Sequence, residues 1–291
     1  MKNRKFVNSI LIPAFFHIAL FRLLPILASL AISLMDYKPQ RAENFFIFFD
    51  NYQKLFTDGV FHVALRNTMV FVLVTVPINI ALSLMMATSI SIQKTNRSRS
   101  FFRMMFFLPC IAPMAATAVV FQRGIYSTLD GVLNMARGLF GSSPINWLGD
   151  ERYLMIAIII FTVWADFGYN TMLFSAGLDQ IPEMYYEAST LDGAGPWRQF
   201  TRITMPLLTR TFTFVTLMTL NSHFQMFAQF SILATNDGPN NSGLVLTNYI
   251  YKNAFVYKNM GYASAVSFAL FVIVFSIALV QQRLNKVDWE Y

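Results

Sequence analysis

Long apolar runs separated by short polar stretches dominate the chain, and runs of about twenty residues with few charges are long enough for a helix to cross a bilayer. Such runs occur at about 9–35, 67–92, 104–121, 153–177, 206–233 and 261–282. The expected fold is therefore an all-α membrane protein with six transmembrane helices in one domain over 1–291. Pro77 interrupts the second run, and Pro109 with Pro113 predicts a kink in the third. Ala112 with Ala116, and Gly261, Ala265 with Ala269, form small-residue strips suited to close helix contact.

Polar stretches orient these spans. Lys2, Arg4 and Lys5 precede the first run, and 93–103 carries Lys94, Arg97, Arg99 and Arg103 without an acid. Basic short loops stay on the cytoplasmic side, so both termini are expected there, although the excess over the whole chain is modest. The first apolar run is too long for a cleavable signal peptide, and no small-residue cleavage site follows it.

Composition narrows the function class. The 291 residues are 55% hydrophobic and only 13% charged, with mean hydropathy +0.47, too apolar for a soluble domain of this length. The net charge of +7 follows the loops rather than a nucleic-acid face. Three His and one Cys are too few and scattered for a metal cluster or disulfide framework. Cys110 is expected to pack in the core, and His17 and His223 to be hydrogen-bonded core residues rather than proton carriers.

One polar island, 178–205, lies between the fourth and fifth runs. Pro182 suits the first position of a helix, and Glu183 and Glu187 suit its positive end. Asp192-Gly193 is a helix stop and turn, and Gly195-Pro196 opens a second helix through Trp197, Phe200 and Ile203. Ala188, Ser189, Gly193, Ala194 and Gly195 leave room for another chain to approach closely. No Gly-Lys pair occurs, so the chain carries no phosphate-cradling loop.

Glu187-Ala188-Ser189, Gly193, Ile203, Met205 and Pro206 fall at the intervals of the EAA loop of ABC-importer permeases: EAA, three residues, Gly, nine residues, Ile, one residue, Leu-Pro. Ser189 replaces the second Ala and Met205 the Leu. Gly168-Tyr169-Asn170, Phe106-Phe107-Leu108-Pro109, Gly238-Pro239 and Gly261-Tyr262-Ala263 extend the similarity over most of the chain from about 67 onward. The sequence resembles the carbohydrate-uptake group of type I ABC importers, relatives of the maltose and glycerol-phosphate permeases.

That resemblance implies a type I ABC importer permease fold whose cytoplasmic coupling helix uses Glu187, Ala188, Ser189, Asp192, Gly193 and Ala194 to dock an ATPase. It implies a second homologous permease subunit, forming a heterodimer, a dimer of ABC ATPases, and an extracytoplasmic solute-binding protein docking near Gly238 and Trp147. ATP and Mg would belong to the partner ATPase, with no cofactor, metal or catalytic residue in this chain. The implied localisation is the bacterial or archaeal cytoplasmic membrane, and the implied substrate a saccharide. Trp197 and Phe200 would anchor the coupling helix to the rest of the permease.

Polar residues inside the spans are the candidate substrate path, because they are costly in lipid unless they face a cavity or another helix. Asp166, Asn170, Asn221 and Gln225 offer hydrogen-bonding groups to sugar hydroxyls, and Trp164, Tyr169 and Phe224 offer flat faces. The amides serve equally well as interhelical hydrogen bonds. Arg22 and Asp166 lie at similar depth, roughly 15–20 Å from the inner ends of their spans at 1.5 Å per residue, so a buried pair is expected. A permease for glycerol phosphate or another solute remains an alternative. An ion-coupled secondary transporter would call for more intramembrane acids and paired broken helices.

Overall fold

The computed structural model describes residues 3–93 and 95–284, with backbone only at 3–8, 10, 282 and 284. Lys2 and Lys94, used above for orientation, lie outside the described residues, as do 285–291 and the side chains of Arg4 and Lys5.

In chain order the helices are α1 (Asn3–Ile18) and α2 (Leu24–Ser33), joined by a π turn, then α3 (Asp50–Thr57), α4 (Gly59–Ser91), α5 (Asn96–Ile111) and α6 (Met114–Val120). They continue with α7 (Val132–Leu139), α8 (Glu151–Leu178), α9 (Met184–Leu191), α10 (Pro196–Gln199), α11 (Met205–Phe224), α12 (Ala228–Leu233), α13 (Leu246–Tyr251) and α14 (Met260–Leu284). A two-residue antiparallel pair, β1 (Met35–Asp36) with β2 (Phe45–Phe46), is the β structure among the described residues. Five helical stretches are long and apolar enough to cross a membrane, or six if the bent pair Asn96–Ile111 and Met114–Ile125 counts as one.

That bent pair refines the expected kink into a break of 89°. Ala112 and Pro113 leave the helical region, with ψ 139° and 121°, because a residue before proline is pushed from α toward extended backbone. The break also removes the proposed Ala112/Ala116 contact strip. Both residues are exposed, and Ala118 is the buried small residue of α6. The stretch 93–103 is not a free loop. Thr95 Oγ1 caps α5 by accepting from Ser98 N–H at 3.2 Å. Arg99 donates to the carbonyls of Ser91 (2.7 Å) and Gln93 (2.9 Å), placing positive charge at the carbonyl end of α4.

The chain divides into two compact units. The first comprises Met1–His62 and Leu246–Ile273. Its best-ordered polar centre is Asp58, which caps α4 by accepting from the N–H groups of Val60 (2.9 Å) and Phe61 (3.2 Å). The other oxygen accepts from the hydroxyls of Tyr249 and Tyr262, each at 2.5 Å, and Lys54 Nζ lies 4.4 Å from the centre of the Tyr262 ring. Burial raises the Asp58 pKa, but the two hydroxyls and two N–H groups outweigh it and hold the carboxyl below its ordinary range. Asn51 secures the end of α2, donating to the carbonyls of Ser33 (2.8 Å) and Met35 (3.0 Å). His17, expected in the core, is exposed beside Phe21, because the α1–α2 span from Leu11 buries nothing in its most apolar window.

The second unit comprises Val63–Val245 and Val274–Tyr291. Its core runs along α8, where Leu154, Ala157, Ile158, Phe161 and Phe174 are fully buried. Lipid is as apolar as these side chains, so close packing and interhelical hydrogen bonds must hold the helices together. Ser83 on α4 donates to Phe167 O on α8 at 2.9 Å. Asn170 on α8 donates one amide hydrogen to Asn79 Oδ1 on α4 (2.7 Å) and the other to Thr219 Oγ1 on α11 (2.9 Å). Such bonds contribute about 0.6–2 kcal/mol each in a membrane, and this node ties three helices at one level.

Candidate functional site: a surface knuckle and a cavity in the span region

The knuckle is built from α9 and α10. Asp192 N–H bonds to Ala188 O at 3.1 Å, Gly193 N–H to Thr190 O at 3.0 Å and Ala194 N–H to Ser189 O at 2.9 Å. These closing bonds require a left-handed residue after the helix, and Gly193 supplies it with φ +76°. Gln199 on α10 pins the turn, its amide donating to Ser189 Oγ and Thr190 Oγ1 at 3.0 Å each and to Tyr186 O at 3.3 Å. Tyr186 and Thr204 share a hydroxyl bond of 2.9 Å. Glu187, Ala188, Asp192 and Gly193 are exposed, and Ser189 and Ala194 half-buried. Met184, Ala188 and Leu191 place an apolar stripe on the open face of α9, with Leu191 90% exposed.

One expectation for this stretch needs correction. Trp197 does not anchor the knuckle. It is 76% exposed, stacked only on Phe200 at 5.9 Å, and Gln199 with Tyr186 does the holding. The stretch Ile203 to Pro206 leads into a span as expected: a π turn over Phe200–Thr204 carries α10 into α11, giving one helical path from Pro196 to Phe224 within the apolar stretch Pro196–Leu233. The longer backbone spacing of that turn accommodates the proline ring and its missing donor at the start of α11.

The C-terminal end of α8 is fastened as well. Arg103 on α5 pairs with Asp179 at 2.7 Å and donates to Ser175 Oγ at 3.2 Å. A cleft of about 830 Å³ runs between this link and the knuckle, lined by Arg99, Arg103, Glu183, Tyr186 and Gln199 among others.

Within the span region of the same unit, a cavity of about 450 Å³ opens where the third span breaks. Pro109, Cys110, Ala112, Met114 and Thr117 line it from the break, Ala165, Asp166, Tyr169 and Asn170 from α8, and Met218, Thr219, Ser222 and His223 from α11. Of the residues singled out from the sequence, Asp166, Tyr169 and Asn170 therefore meet here. Asn170 devotes both amide hydrogens to the interhelical node. Trp164, 37% exposed, packs on Phe121 at 4.8 Å and does not line the cavity. Asn221 and Gln225 do not line it either. Both are exposed, and Gln225 donates to Asn221 Oδ1 at 2.7 Å. Arg22 is exposed in the first unit and Asp166 lines the cavity of the second.

Sequence reasoning missed Met218, Thr219, Ser222 and His223, whose spacings of three and four mark one face of α11, and Cys110. Cys110 is half-buried at the cavity wall, its Sγ 3.1 Å from Ala165 O. His223 is 2% exposed. Its Nδ1 lies 2.9 Å from Thr219 O, which only accepts, so Nδ1 carries the proton and Nε2 is left as an acceptor. Nε2 is buried without a hydrogen-bond partner. The stretch 122–152 also organises itself. Trp147 donates to Asn134 Oδ1 at 3.2 Å, and that oxygen also accepts from Ile145 N–H at 3.0 Å.

Comparison with known proteins places the chain in a family. The family model for the binding-protein-dependent transport system inner membrane component matches residues 79–286. The probable ABC transporter permease protein YurN of Bacillus subtilis is 34% identical over 96% of this chain and 96% of its own length. The lactose transport system permease protein LacF of Rhizobium radiobacter is 35% identical over 92% and 90%. A crystal structure of a bacterial ABC transporter that imports the acidic polysaccharide alginate shares the fold, with TM-score 0.82 at 21% identity over 99% of this chain and 98% of that one. With an apolar multi-span body, a glycine-closed surface helix and this match over most of its length, the chain belongs to the binding-protein-dependent transport system inner membrane component family, the multi-pass permease subunits of ABC importers.

Proposed function

We propose that this chain forms half of the translocation pathway of an ATP-driven importer for a sugar or oligosaccharide. It would cross the membrane six times with both termini in the cytoplasm and act in one domain. A second homologous permease would complete the pathway, and a solute-binding protein would deliver substrate from outside. A dimer of ABC ATPases, holding ATP and Mg, would dock on Glu187, Ala188, Ser189, Asp192, Gly193 and Ala194. The saccharide assignment is supported by relatives named for lactose and arabinooligosaccharides.

The observation that carries the reading is the open apolar face of α9 on a turn rigidified from behind. A helix that merely capped a span would bury Met184, Ala188 and Leu191 or replace them with polar residues. A force on α9 passes through Gln199 into α10 and along the continuous helical path to Met218–His223 at the cavity wall. A second route runs from Asp179 through Arg103 into α5, whose broken end forms the opposite wall. Closure of the ATPases then biases the cavity between outward and inward access.

The test is a photo-crosslinker at Ala188 in cells expressing the whole operating complex. An adduct with an ATPase subunit is expected, and that ATPase, copurified, should accelerate when a saccharide-loaded binding protein is added. An adduct with lipid alone, or purification without any ATPase, would overturn the proposal.

A further inference from the structure

Resting on the saccharide reading above, we infer that the cavity wall contributed by this chain selects neutral or amino-bearing saccharides and disfavours acidic ones. Among the described residues lining the cavity, Asp166 carries the one formal charge, and it is negative. The groups beside it are the Tyr169, Thr117 and Ser222 hydroxyls, which accept as readily as they donate. No Arg or Lys lies among those lining residues. The fold neighbour imports an acidic polysaccharide, so fold alone does not decide substrate charge.

The chemistry follows from donor and acceptor count. A uronate brings a carboxylate that needs donors and cations, as Arg provides in its bidentate pairs. Against this wall it meets a carboxylate. A neutral sugar brings hydroxyl hydrogens, which the Asp166 oxygens and the lining hydroxyls accept. An ammonium on an amino sugar brings more donors and a charge opposite to Asp166. Asp166 therefore sets the charge preference.

The experiment measures binding to the assembled importer in nanodiscs without its binding protein, by saturation-transfer NMR, using lactose, a glucosamine disaccharide and digalacturonate. In the wild type, lactose and the glucosamine disaccharide should bind, and digalacturonate at least about tenfold more weakly, the scale of one unit-charge repulsion across a few ångströms in a partly wet site. Asp166→Asn should bring the three affinities to within about threefold of one another. Ratios within one preparation do not depend on how much of a variant folds. Digalacturonate binding as well as lactose in the wild type, or unchanged ratios in Asp166→Asn, overturns the inference alone. If none of the three binds, the saccharide reading falls and the inference with it.

Discussion

Adding one methyl group at Gly168 tests how closely the broken third span packs on α8. A Cβ there would collide with the carbonyl oxygen of Phe106 on α5, lie 2.8 Å from its carbonyl carbon and 3.1 Å from Cys110 Sγ. The obstacle is backbone, so no rotamer change relieves it and the two helices must separate. Overpacking a tight core costs about 1–3 kcal/mol, and a backbone obstacle places Gly168→Ala at the upper end. At roughly 2–4 °C per kcal/mol, the purified complex should melt at least about 5 °C lower. The neighbouring cavity, walled by Pro109 and Cys110, should distort with it, so transport should fall further than stability.

Two other glycines calibrate the result. At Gly177 the new methyl would meet Thr211 Oγ1 at 2.6 Å and Leu208 Cδ1 at 2.9 Å, side chains able to yield, so a smaller loss is expected. At Gly193 nothing lies within 4 Å, and the cost comes from φ +76° alone, about 1 kcal/mol. Thermal unfolding of the three alanine variants, followed by intrinsic fluorescence in one detergent, should rank Gly168 as the most damaging. A Gly168→Ala melting temperature within about 1 °C of wild type, where 1 kcal/mol corresponds to about 2–4 °C, would refute the close approach of α5 to α8.

Gln199→Ala should lower the ATPase stimulation produced by loaded binding protein while lowering the melting temperature by only about 2–4 °C. Its partly exposed hydrogen bonds contribute about 1 kcal/mol locally, and equal loss of basal and stimulated turnover would show that it does not transmit force. Asp58 predicts a pH effect whose sign is fixed: its folded pKa is depressed, so the stabilisation is present above the unfolded value and lost as pH falls through the folded one. Wild type should therefore lose stability on acidification below the ordinary carboxylate range, and Asp58→Asn should lack that component. Parallel melting curves across pH for the two proteins would contradict it.

The knuckle was legible because its determinants are local. A helix stop at Asp192-Gly193, small residues before it and Pro196 after it act through backbone geometry within a few bonds, so sequence order and spatial order coincide. The turn at 236–240 is local in the same way, and Asn236, Asp237, Gly238 and Asn240 adopt the positive φ that such residues tolerate. The partner that holds the knuckle was not legible. Gln199 reads as an ordinary polar residue until the fold sets it against Tyr186, Ser189 and Thr190.

By itself, the sequence determined that the chain spans a membrane, where its apolar runs lie and where the turn after α9 closes, since length, hydropathy and turn chemistry are properties of contiguous residues. Only the tertiary structure decided which side of each span faces the cavity. It turned Asn221 and Gln225 outward, tied Asn170 to Asn79 and Thr219, and brought His223 inward. The physical reason is that lipid and protein interior are equally apolar. The hydrophobic stripe that sets a helix's rotation in a water-soluble protein is therefore weak here, and packing between helices fixes the rotation instead.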